Sequence, residues 1–269
     1  MNGISGNGEK RNTIIGRSEE RGPPGRKGHF SYIHRKMSPL CDPLSKRPCI
    51  TVCTPAVGSE CAWDDIRQNL IQALLDCEES LTIGNLKAGC SGHCANGPMV
   101  GFPHKEFFYI GCAAKGQCRL AGGIEKGSIR FDLLSVNWRR SYRSDIFFDM
   151  QTGFLAAIDD CVCMVQVAKY FLDFQEGMSC GKCIPCRVWV QRARESIGRL
   201  ISGKGTSGDI ERLKTLCFLM EKTSNCDYAH LTIKPVLSAV TYFEKEFEAH
   251  IEGNCSAGIC TGTRMKNFG

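Results

Sequence analysis

The run Ser179-Cys180-Gly181-Lys182-Cys183-Ile184-Pro185-Cys186-Arg187 places three thiols within seven positions. A C-x2-C-x2-C run lets one tight loop wrap three corners of a cubane iron–sulfur cluster. The fourth thiolate must then come from elsewhere, so the chain has to close around this loop. Gly181 permits the sharp turn near the sulfurs. Pro185 stiffens the loop ahead of the third thiol. Structural zinc sites present thiols in two pairs, so zinc is the weaker reading of this run, and plain buried thiols are weaker still.

Other stretches surround this loop in order. Upstream lies Cys163-Met164-Val165-Gln166-Val167-Ala168-Lys169-Tyr170-Phe171. Downstream come Thr223-Ser224-Asn225-Cys226, Lys234-Pro235-Val236-Leu237-Ser238 and Tyr242-Phe243-Glu244-Lys245-Glu246-Phe247-Glu248-Ala249-His250-Ile251. Together they resemble the C-terminal iron–sulfur domain of the NADH-oxidising flavoprotein subunits. That family includes the NADH-binding subunit of respiratory complex I and the beta subunits of bifurcating hydrogenases and NAD-linked formate dehydrogenases. The resemblance runs from about Asp159 to Cys260. It implies one [4Fe–4S] cluster on Cys180, Cys183, Cys186 and Cys226, the last separated from Cys186 by 39 residues. Ligation by Cys217 instead would count against it.

The N-terminal half reads differently. Pro48 to Cys53 is a short buried strand, Thr54 to Cys61 a loop, and Trp63 to Cys77 an amphipathic helix with Asp64 and Asp65 in its first turn. A second strand over Leu81 to Ala88 leads into the loop Gly89 to Pro98, and two strands follow around Pro103-His104-Lys105. The two loops can meet at one end of the sheet with Cys53, Cys61, Cys90 and Cys94, enough thiolates for a [2Fe–2S] cluster. Val52-Cys53, Gly89-Cys90-Ser91-Gly92-His93-Cys94 and Asn96-Gly97-Pro98-Met99-Val100 resemble the thioredoxin-like [2Fe–2S] ferredoxin domain that accompanies the same flavoprotein subunits. Seven residues between Cys53 and Cys61 depart from that family's spacing, and Cys49 is the rival for the Cys61 role. A zinc-stapled or empty thioredoxin-like fold is the alternative.

From Asp159 the pattern turns helical. Asp159 and Asp160 can cap a helix through Phe174. Val188 to Ile201 forms a second helix, stopped near Gly203. Ser207 caps a third, and Pro235 opens a fourth. The expected fold is therefore α+β: an N-terminal thioredoxin-like [2Fe–2S] ferredoxin domain plus a C-terminal four-helix iron–sulfur bundle. The segments are a basic arm (1–47), the ferredoxin domain (48–112), a connector (113–158) and the helical domain with its tail (159–269).

The tail adds His250, Cys255 and Cys260 within eleven residues, a pattern that resembles the end of this domain in the hydrogenase-type branch. Three N/S donors are one short of zinc's tetrahedral shell. Cys163, at the start of the first bundle helix, is the candidate fourth ligand, with Cys161 the alternative. The plainer account has His250 capping a helix end while both cysteines stay free.

Composition excludes several roles. Eighteen cysteines would suggest disulfides in a secreted chain. The first thirty residues hold Lys10, Arg11, Arg17, Glu19, Glu20, Arg21, Arg26 and Lys27 and no apolar run of a signal peptide. Metal-bound thiolates in a reducing cytoplasm are the expectation. No stretch has the length of a membrane span. The net charge of +6 belongs to residues 1–47, with ten Lys/Arg and four Asp/Glu. Such an arm reads as a partner-docking or solvated tail rather than a nucleic-acid contact. Trp138 to Arg143 is a basic aromatic cluster that reads as a solvated connector face or a docking patch for a partner subunit rather than an RNA contact. Gly122-Gly123 lacks the spacing of a phosphate loop, so neither FMN nor NADH binding is expected.

No catalytic base arrangement stands out. The resemblance thus implies a non-catalytic electron-transfer subunit working with other subunits of a redox complex. A structural adapter, or a thiol sensor using Cys112 and Cys118, are the competing readings. Lys182 and Arg187 beside the cubane thiols either favour its reduced form or simply reach solvent.

Overall fold

The computed structural model describes residues 41, 44–54, 61–77, 81–89, 97–110, 112, 145–260, 262 and 264–265. Most of the N-terminal arm, Cys90, Cys94, Cys118, Gly122-Gly123 and Trp138 to Arg143 therefore lie outside the described residues.

The elements run β1 (Ile50–Cys53), α1 (Asp64–Cys77), β2 (Ile83–Gly89), β3 (Val100–Phe102), β4 (Phe107–Tyr109), β5 (Ile146–Phe148) and β6 (Leu155–Ala157). Then follow α2 (Met164–Met178), a π-helical turn (Pro185–Trp189), α3 (Val190–Ile201), α4 (Ser207–Thr223), α5 (Asp227–Tyr242), α6 (Glu244–Ile251), β7 (Asn254–Cys255) and β8 (Arg264–Met265). The mixture is α+β, and the described residues belong to one compact unit. No helix among the described residues is long and apolar enough to cross a membrane.

Six strands make one sheet in the order β4-β3-β1-β2-β6-β5. β1 and β2 are parallel, and every other pair in the sheet is antiparallel. Strands present alternate residues to opposite faces, and here both faces are used. Ile50, Val52, Val100, Phe102 and Tyr109 pack with Leu70 and Leu74 of α1. Leu86, Met99 and Phe108 turn the other way and share a core with Phe147, Phe148, Leu155 and the helices α2 to α6. The result is three layers: α1, sheet, bundle. Phe148 of β5 meets Phe171 of α2 with ring centroids 6.5 Å apart.

The hairpin β5–β6 arises inside the stretch read as connector. Asp149 builds its turn, its carboxylate accepting from the Gln151 N–H at 3.1 Å and the Thr152 hydroxyl at 3.1 Å. β6 then pairs with β2 and hands the chain to the bundle.

The helix ends correct three expectations. α2 starts at Met164 with Cys163 as its N-cap, not at Asp159. Asp159 instead takes the Arg47 Nε–H at 2.7 Å and the Cys161 N–H at 3.0 Å. Thr206, not Ser207, caps α4, because its side chain and Asp209 form a reciprocal capping box. Pro235 lies inside α5 rather than at its start; the helix already begins after Cys226. Proline removes one helical hydrogen bond, and the burial of Pro235 between Ile233 and Val236 offsets that loss.

Candidate metal centres

α2 positions two cysteine clusters, one at each end. Its length of 15 residues corresponds to about 22 Å.

At the C-terminal end, Gly181 adopts φ +64°, the left-handed conformation that glycine takes without strain. The loop enters the π-helical turn, where Cys186 is buried. π turns recur at functional sites because they re-aim a side chain within a helix. Cys226 arrives as the N-cap of α5. Backbone hydrogen bonds from Cys186, and further ones from Asn225, hold the Cys183 thiol below its ordinary range. Burial pushes Cys186 up to about 11, and Cys183, Cys226 and Cys180 add to that through their charge. Cys186 is thus near enough to Cys183, Cys226 and Cys180 for their charge to act on it, with Cys180 and Cys226 exposed and Cys183 half-buried. Cys217 lies in the core of α4, fully buried, its pKa raised by that burial. Four convergent thiols, with backbone donors already on one of them, fit a thiolate-bound cluster. Buried polar atoms of Gln175 and Ser224 without a hydrogen-bond partner among the described residues lie at this same end of the bundle.

At the N-terminal end, Cys163, His250, Cys255 and Cys260 are all buried, and their ligand atoms lie within 4.8 Å of one another. Cys163 Sγ stands 3.5 Å from His250 Nε2 and 3.8 Å from Cys260 Sγ. His250 Nε2 stands 3.4 Å from Cys260 Sγ. Zinc–sulfur and zinc–nitrogen bonds of ordinary length give tetrahedral edges of about 3.8 Å between sulfurs and about 3.6 Å between sulfur and nitrogen. The donor set fits that ion. His250 Nδ1 donates to the Glu246 carbonyl at 2.6 Å, which leaves Nε2 as the ligating nitrogen. Burial works against a charged His250, but the Cys260 sulfur and the Glu246 carbonyl outweigh it and raise its pKa. Cys163 and Cys260 share one thiol hydrogen bond, which lowers the Cys260 thiol and raises Cys163. Cys161, the alternative ligand, is exposed and outside the cluster.

Two supporting residues escaped the sequence reading. Gln166 donates from Nε2 to Cys260 Sγ at 3.4 Å, and Glu246 serves His250. Their spacing, three residues after Cys163 and four before His250, was the available signal, since such positions share a helix face.

For the third set the described residues include half. Cys53 ends β1 and accepts the Met99 N–H at 3.1 Å, and Cys61 is half-buried ahead of α1. Cys90 and Cys94 are outside the described residues. Cys49, the rival for Cys61, forms a disulfide with Cys41. Cys112 is buried close to Cys53; burial first, then the Cys53 charge, pushes its thiol up to about 12.

Residues 166–250 match the family described as the NADH-ubiquinone oxidoreductase-F iron-sulfur binding region. Over that segment the chain resembles the NADH-oxidising flavoprotein subunits. The NADP-reducing hydrogenase subunit HndC of Solidesulfovibrio fructosivorans is 41% identical over 113 residues, 42% of this chain and 23% of that protein. An NADH-quinone oxidoreductase subunit of Escherichia coli (strain K12), the one designated F, is 36% identical over 102 residues, 38% of this chain and 23% of that protein. The chain thus spans about a quarter of the length of these curated relatives. An NAD+-reducing [NiFe]-hydrogenase in its H2-reduced state overlaps at TM-score 0.33 and 30% identity, over 35% of this chain and 16% of that one.

Proposed function

We propose that this chain is an iron–sulfur electron-transfer subunit of a multi-subunit oxidoreductase of the hydrogenase, formate dehydrogenase or NADH dehydrogenase kind. The observation that carries the reading is that Cys180, Cys183, Cys186 and Cys226 all fall inside a segment that matches an iron–sulfur binding region, and that the charge of the other three acts on Cys186. These four thiolates hold a [4Fe–4S] cluster, which when bound accepts and releases single electrons. The chain's own work is to supply the sulfurs, direct the Cys186 and Asn225 backbone donors at Cys183, and keep Cys180 and Cys226 at the surface, where a partner can approach. Lys182 and Arg187 add positive charge beside the loop and favour the reduced form.

Cys53, Cys61, Cys90 and Cys94 hold a [2Fe–2S] cluster in this reading. The order β4-β3-β1-β2, with β1 and β2 parallel and α1 on one face, supports a thioredoxin-like domain there. Zn2+ sits on Cys163, His250, Cys255 and Cys260, where it pins the tail to the start of α2. No FMN or NADH site belongs to this chain. Other subunits carry the substrate chemistry in the cytoplasm, with the basic arm a docking element.

The test is anaerobic reconstitution of the full chain with iron and sulfide, followed by EPR of the reduced protein. Two distinct signals are expected, and Cys183→Ser abolishes the cubane signal while Cys217→Ser keeps it. A cubane signal retained in Cys183→Ser and lost in Cys217→Ser would reject the ligand assignment.

A further inference from the structure

The inward face of α2 is apolar with one exception. Met164, Val165, Val167, Ala168, Phe171 and Leu172 are buried, and so is Gln175, the last inward residue before the cysteine loop. Gln175 is wholly buried, yet neither Nε2 nor Oε1 has a hydrogen-bond partner among the described residues. Ser224 Oγ is in the same condition. The remaining such atom, His104 Nε2, belongs to the β3–β4 turn.

Gln175 and Ser224 flank one segment. Ser224 caps the C-terminus of α4 two residues before Cys226, beside the Asn225 backbone that bonds Cys183. Tyr228, two residues after Cys226, reaches the Gln175 carbonyl with its hydroxyl at 3.5 Å. The turn of α2 that bears Gln175 therefore adjoins the first turn of α5. A buried amide or hydroxyl without a partner destabilises a fold, and few native structures keep one without cause. Leucine at 175 and alanine at 224 would remove that cost.

We propose that Gln175 Nε2–H and Ser224 Oγ–H donate to sulfurs of the four-cysteine centre and raise its reduction potential. The inference rests on the [4Fe–4S] reading above. Thiolates and cluster sulfides are acceptors in excess of the local donors. Donors aimed at them favour the more negative, reduced form. A glutamine amide can turn either end toward the sulfurs, and only its N–H end is favourable against negative charge.

The experiment is an EPR-monitored redox titration of the cluster-loaded full chain. Gln175→Leu and Ser224→Ala each lower the equilibrium constant for reduction about tenfold, a fall of about 59 mV for a one-electron couple. Ser224→Thr, which keeps a hydroxyl, titrates with the parental protein. Loaded variants with unchanged midpoints would overturn the inference and leave the cluster reading standing. An anaerobic crystal structure of the loaded parental chain covers the case in which the variants fail to fold. There, both donors are expected within hydrogen-bond distance of sulfur; satisfaction by water alone overturns the proposal. Iron-loaded parental protein with no cubane signal would instead remove the cluster reading itself.

Discussion

Lys87 of β2 and Glu246 of α6 join the sheet to the bundle. Their side chains form an ion pair and are 9% and 14% exposed. Lys87 Nζ also donates to the Val162 carbonyl at 2.8 Å, and Glu246 Oε2 accepts the Met164 N–H at 3.1 Å. Glu246→Ala thus leaves the ammonium with one acceptor in the layer boundary, and the first N–H of α2 with none. Removing one member of a buried pair costs about 3–5 kcal/mol, because the other charge stays buried. The stranded amide adds about 1 kcal/mol. The expected loss is about 4–6 kcal/mol, and Glu246→Gln, which keeps an acceptor, loses about half. Replacing both residues, Lys87→Met with Glu246→Leu, recovers most of it, since apolar pairs of similar volume substitute for buried ion pairs at little cost. Urea unfolding of the full chain at pH 7, followed by far-ultraviolet circular dichroism, measures all four proteins. A loss under about 1 kcal/mol in Glu246→Ala, or a double variant as unstable as Glu246→Ala, would refute the docking argument.

Asp209 is held down to about 2 by the hydrogen bond from Arg199, helped by the Thr206 backbone and against its own burial. A depressed carboxylate stabilises fully above its unfolded value of 3.8 and loses that contribution as pH falls toward 2. Asp209→Asn should therefore cost about 1–2 kcal/mol at pH 7, allowing for solvent around Arg199, with the deficit closing between about pH 4 and 2 in denaturation curves. Cys255→Ser should release one zinc per chain by elemental analysis and lower the melting temperature; zinc retained at full stoichiometry speaks against the site. A fragment of residues 40–120 bares Leu86, Met99 and Phe108, which the bundle covers in the full chain. It should bind a hydrophobic dye and self-associate, and a well-behaved red-brown monomer would show that the sheet does not need the bundle.

The sequence by itself determined what depends on short spacing. Cys180, Cys183 and Cys186 lie in one turn-rich loop, so their proximity needs no long-range contact. α1 and α3 follow their apolar periods, and β1 to β4 are short apolar runs set between turn residues and cysteine loops that mark their ends. The gathering of Cys163, His250, Cys255 and Cys260 could be anticipated because it needs only a helix returning to the start of α2. What the tertiary structure decided is non-local. β5 and β6 are three residues each, too short for a period to declare itself, and they become strands because β2 offers an open edge. Pro235 argued for a helix start, yet α5 runs through it, because packing over the whole helix outweighs one lost hydrogen bond. Above all, Leu86, Met99 and Phe108 are apolar in a sheet that already has α1 on its other face. Their pattern states that a second face must be buried but not against what. Only the folded chain, closing the bundle over that face, supplies the partner.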